Sequence, residues 1–157
     1  MALVFSLSVE CEKADDASAV AAHFGRLRVE FADDEAAVCQ PSLNNDPEGG
    51  WWVMVCVPGM TTNAPISDMR SKERMTEAAH QLLDHLRRSP SFRYAMVGVE
   101  VDHFRCFGEI DNDLAELPFD GVVVSDAIWA RLGWPAVFEP FADGYRWRPY
   151  AGETSDL

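Results

Sequence analysis

Residues 97–109, VGVEVDHFRCFGE, gather three carboxylates, a histidine, an arginine and a cysteine behind a run of valines. These are the side chains of acid–base sites, thiol nucleophiles and metal centres. Their spacing decides what they can do together. On an extended chain, neighbouring side chains diverge to opposite faces. Asp102 and His103 therefore cannot act as a dyad with each other. Glu100 and Asp102 share a face, roughly 6–7 Å apart by strand geometry, as a carboxylate pair or a solvated strand end. A small hydrolase or transferase using Glu100, Asp102 and His103 is the alternative function these residues allow. His103 and Cys106 form only half of a metal site, because zinc requires three or four clustered ligands. His80 and His85 lie about 140° apart around a helix and do not converge. There is no HExxH, CxxC, G-x-S-x-G, P-loop or G-x-G-x-x-G motif. No catalytic residue, cofactor or metal is expected.

The remaining elements must be those of one domain. The 157 residues, 48% of them hydrophobic, suffice for a core without disulfides or metals. ALVFSLSVE (2–10) reads as a strand and DDASAVAAHFGRL (15–27) as a helix. RVEFADDEAAVCQ holds two short strands around Asp33-Asp34-Glu35, and PSLNNDPEGG (41–50) reads as a loop. WWVMVCV (51–57) is apolar throughout, as in a central strand, and Pro58-Gly59 ends it. Met75, Ala78, Ala79, Leu82, Leu83 and Leu86 define one face of a helix over about 68–88. Strands follow at 92–101 and 119–125. Ser125 caps a short helix that Gly133 and Pro135 stop, and a hairpin turns at Asp143-Gly144. The expected fold is a single α+β domain over 1–157. A mostly antiparallel sheet carries two main helices on one face, then a short C-terminal helix plus hairpin. The end, from about residue 151, is expected to fray.

Charge is the largest compositional signal. The chain carries a formal net charge of −13, concentrated in its first and last thirds. Phosphate backbones and anionic membrane surfaces would be repelled, so neither nucleic acid nor membrane is an expected partner. A basic protein surface would be attracted. The acidic candidates for that contact are Asp33, Asp34 and Glu35, then Glu100 and Asp102, then Glu109, Asp111, Asp113 and Glu116. The aromatic C-terminal third is expected to form a satellite core, to anchor a partner, or to join copies in a homo-oligomer. No stretch is long enough to span a membrane, and the start lacks a signal-peptide pattern, which suggests the cytoplasm. The four cysteines read as reduced thiols.

The tail GVVVSDAIWARLGWPAVFEPFADGYRWRPYAGE (121–153), a strand, capped helix and aromatic hairpin on an acidic chain, resembles the cytoplasmic immunity proteins of bacterial toxin systems. The resemblance implies a non-enzymatic protein that neutralises a cognate toxin by tight association. It transfers no functional residue, because no motif matches position by position.

Overall fold

A computed structural model describes residues 3–62, 69–101, 106–109 and 120–153. The order is β1 (Leu3–Cys11), α1 (Ala14–Phe24), β2 (Arg28–Glu30), β3 (Ala36–Val38), β4 (Gln40–Asn45), β5 (Trp51–Thr62), α2 (Met69–Leu86), β6 (Tyr94–Val99), a 3-10 turn (Phe107–Glu109), β7 (Val123–Ser125), α3 (Asp126–Arg131), β8 (Glu139–Ala142) and β9 (Tyr145–Trp147). Seven strands form one antiparallel sheet in the order β4-β5-β1-β6-β7-β9-β8, and β2 with β3 forms a small hairpin beside it. The fold is therefore α+β, as expected.

Alternation along β1 divides the molecule into layers. Phe5, Leu7, Val9 and Cys11 face α1 and α2, where they pack with Val53, Val55, Val97, Val20, Phe24, Leu82 and Leu86 in the main core. Ser6, Ser8 and Glu10 face the other way and are also buried. On that side Trp52, Tyr94, Met96 and Val124 form a second core with Ile128 of α3 and Phe138. The aromatic C-terminal third divides between the two cores. Phe141, Tyr145, Trp147 and Tyr150 join the main one, while Trp129 packs on the second.

Two expectations need correction. Residues 41–45 are not loop, because β4 pairs with β5 from Gln40↔Cys56 to Asn45↔Trp51. An edge strand needs backbone pairing on one side only, so its polar residues and Pro41 are tolerated. Nor do Pro58 and Gly59 end β5. Val4 pairs with Thr61 but Ser6 with Cys56, so Phe5 alone spans residues 57–60. The proline and glycine sit in this bulge, and the strand resumes beyond it. At the chain end, the Glu153 amide donates to Thr76 Oγ1 at 3.1 Å and Tyr150 Oη donates to Glu153 Oε1 at 2.8 Å, which ties residues 150–153 to α2.

Gly121, where the chain enters β7, has φ 82°, and a Cβ there would lie 2.9 Å from Val97 Cγ1 and 3.0 Å from Tyr150 Cδ2. Gly121→Ala therefore combines left-handed strain with overpacking and is expected to cost about 2–3 kcal/mol. Gly144 has the same φ of 82° with nothing within 4 Å, so Gly144→Ala should cost only about 1 kcal/mol. Urea unfolding of the two variants compares them, and equal losses would refute the packing contribution.

Candidate functional site

The acidic turn between β2 and β3 is built by short-range rules. Asp34 is left-handed at φ 63°, a conformation Asp adopts more readily than most residues. Its amide donates to Phe31 O at 3.1 Å, and the Glu35 amide donates to Asp33 Oδ1 at 3.2 Å. Helix α2 then braces the hairpin. Arg74 Nη1 lies 2.7 Å from Asp33 Oδ2 and 3.0 Å from Glu35 Oε2, and its guanidinium stacks 4.0 Å above the Phe31 ring. The Ala32 amide donates to Glu77 Oε2 at 3.2 Å, while Gln81 accepts from the Glu30 amide at 2.9 Å and donates to the Glu30 carbonyl at 2.7 Å. Arg74 is the cation that orients two of the three acidic residues. Asp34 stays exposed at the tip. Among the described residues, Arg28 pairs with Glu30 at 3.7 Å, so three carboxylates here, Glu30, Asp33 and Glu35, meet a guanidinium.

Of the other acidic candidates, Glu100 and Glu109 are described, and each serves a backbone contact. Strand β6 ends at Val99, and Glu100 has φ 61°. The two-residue strand period therefore ends at Val99, and the expected common face of Glu100 with Asp102 lies outside the described residues. The Glu100 amide donates to Val4 O at 2.8 Å and its carboxylate accepts from the Val4 amide at 3.3 Å, so Glu100 fastens the start of β1. Glu109 closes the 3-10 turn by accepting from the Cys106 amide at 3.1 Å. Asp102, His103, Asp111, Asp113 and Glu116 lie outside the described residues.

A polar cluster that sequence reasoning missed sits where β1, β5 and β6 meet. Glu10 is fully buried and takes a bidentate contact from Arg93, with Nε at 2.7 Å from Oε2 and Nη2 on Oε1. The Phe107 ring covers the guanidinium at 3.7 Å. Beside the pair, Asp46 accepts from the Glu48 and Gly50 amides, both at 2.9 Å, and from Trp52 Nε1 at 3.0 Å. Gly50 lets the two carboxylates approach, because a Cβ there would fall 2.5 Å from Asp46 Oδ2 and 3.1 Å from Glu10 Oε1. Burial raises the Glu10 pKa, against the lowering effect of the Arg93 hydrogen bonds and charge. The available signal was weak: Glu10 continues the alternating polar set Ser6, Ser8, and such a set ordinarily faces water.

This cluster is tied to itself rather than open to a substrate, since each carboxylate meets a donor within the fold. Three of the four thiols are equally quiet. Burial pushes Cys11 up to about 12 and Cys39 up to about 11. Cys106 is raised by desolvation and then by the charges of Glu48, Asp46 and Glu109. A raised thiol pKa leaves little thiolate for nucleophilic attack. Among the described residues, no group of three or more His, Cys, Asp or Glu side chains could hold a metal ion. No helix among them is long and apolar enough to cross a membrane.

Fold and site together define a class: an α+β domain with a braced acidic hairpin and a self-satisfied internal ion cluster. No protein family, curated protein or solved structure matches the chain.

Proposed function

We propose that the protein is a non-enzymatic binding protein that neutralises a cognate toxin of basic surface through its acidic face. The observation that supports this reading is the bracing of the Asp33–Glu35 turn on α2 by Arg74, Glu77 and Gln81. Carboxylates fixed before contact lose little conformational entropy when a partner binds. An acidic surface also raises the encounter rate with a basic cleft, such as that of a toxin acting on nucleic acid or nucleotides.

Co-expression with candidate toxins, followed by affinity capture and mass spectrometry, tests the reading. A stoichiometric toxin that loses activity in the complex supports it; full toxin activity throughout the series refutes it. For the toxin so found, Asp34→Asn should slow association several-fold at low salt and much less at high salt, because screening shortens steering. Asparagine keeps the left-handed turn, and Asp34 stands outside the Arg74 pair, so the fold is undisturbed. An unchanged rate would move the contact away from this hairpin.

A further inference from the structure

The last turns of α1 and α2 are joined by two histidines. The His23 and His85 rings stack with centroids 3.9 Å apart and 13° between planes. His23 Nε2 lies 2.8 Å from the His85 carbonyl oxygen, and His85 Nε2 lies 2.7 Å from the His23 carbonyl oxygen. A carbonyl only accepts, so both neutral rings must carry hydrogen on Nε2. Any further proton goes to Nδ1. Phe24 meets both rings edge-on, at 5.3 Å from His23 and 5.1 Å from His85.

We propose that this pair is a proton-operated clasp between the two helices. The first proton is tolerated, because an imidazolium at a helix C-terminus strengthens its bond to a carbonyl. The second would place two positive rings face to face at 3.9 Å, and the clasp opens instead. Among the described residues, no acidic group offsets this. Arg88 faces His85 and adds repulsion. Asp84, its neighbour on α2, lies 3.7 Å from Arg87, and the acids of α1, Asp15 and Asp16, are in its opposite turn. Of the strands packed on the two helices, β4, β5 and β6 carry no charged residue. Glu10 of β1 points to the far face, and Arg28 and Glu30 of β2 face each other at 3.7 Å. Burial, more than any neighbour, holds His85 below the usual histidine range. A histidine lowered in the folded state contributes stability that is complete above its unfolded pKa of about 6.5 and is lost as pH falls below it.

NMR titration of the imidazole carbons in the full chain tests the clasp. The His85 ring should titrate below the ordinary histidine range, and its protonation should be accompanied by loss of amide protection at residues 20–24 and 82–86. Glutamine keeps an N–H for the carbonyl, so His23→Gln removes only the charge of the facing ring, and His85, still buried, should move part of the way back. Between pH 7 and 5, the unfolding constant of the parent should rise about tenfold more than that of His85→Gln, with His23→Gln between the two. A His85 midpoint in the ordinary range, amide protection that survives its protonation, or an acid response that His85→Gln retains in full overturns the proposal. The parent titration decides the matter even if one variant fails to fold.

Discussion

Arg93→Ala is expected to destabilise the protein by about 3–5 kcal/mol at pH 8, the range for removing one partner of a buried ion pair. The size follows from what is left behind. Glu10 has no solvent exposure of its side chain, whereas Arg93 keeps 25% of its own, so the uncompensated charge falls on the group least able to reach water. Asp46 adds repulsion from the same side. The variant also uncovers Phe107, which stacks on the guanidinium. With Arg93 absent, the Glu10 carboxyl is raised further in the folded state. A raised carboxyl contributes stability that is present below its unfolded pKa and lost as pH rises through the folded one. The deficit against the parent should therefore be smaller at pH 5 than at pH 8. Adding Glu10→Gln should recover more than half of it, because a neutral amide is far cheaper to bury than a charge. Urea unfolding at the two pH values reads all three outcomes. A loss below about 1 kcal/mol that ignores pH would place the pair among ordinary surface salt bridges.

What the sequence discloses and what it conceals follow from the range of the forces involved. The helix face of α2 and the Ser125 cap are written in residues three or four apart, and both stand as expected, with Ser125 Oγ accepting from the Ile128 amide at 3.3 Å. The short strands around Asp33–Glu35 and the hairpin at Asp143-Gly144 are likewise local. Strand β4 was illegible because an edge strand draws on backbone pairing, which leaves no side-chain signature. The polar set on β1 was misleading for a different reason. Alternation reports that two faces differ, but not that both are covered. Among the acidic candidates, the identity of Asp33 and Glu35 was visible while their brace was not, because Arg74 lies 41 residues beyond Asp33. Glu10 and Arg93 are 83 residues apart and meet only because β1 and β6 are neighbours in the sheet.

Asp46→Ala is expected to cost about 3–4 kcal/mol, although it removes a negative charge from a strongly acidic protein. Asp46 is only 3% exposed, and its carboxylate satisfies three donors: the Glu48 and Gly50 amides and the Trp52 indole. Hydrogen bonds to a charged acceptor contribute about 1.5–3 kcal/mol each. The sum is offset in part because the Glu48 amide can turn to water and because Glu10 loses a repelling neighbour. Trp52 cannot recover so easily, since it is 1% exposed and held edge-on against Tyr94 at 5.2 Å. Its indole N–H would lose the buried Asp46 carboxylate as its acceptor. Asp46→Asn separates the contributions. An asparagine oxygen can still accept the two amides and close the β4–β5 turn, but its NH2 group then faces the indole N–H, donor against donor. Asparagine should thus recover the turn and not the indole bond, losing about 1–2 kcal/mol relative to the parent. Differential urea unfolding gives the stabilities, and the indole N–H resonance of Trp52 reports the bond directly. If alanine and asparagine cost the same, the indole bond outweighs the turn. If asparagine costs nothing, the Trp52 contact contributes no stability and the carboxylate serves the turn alone.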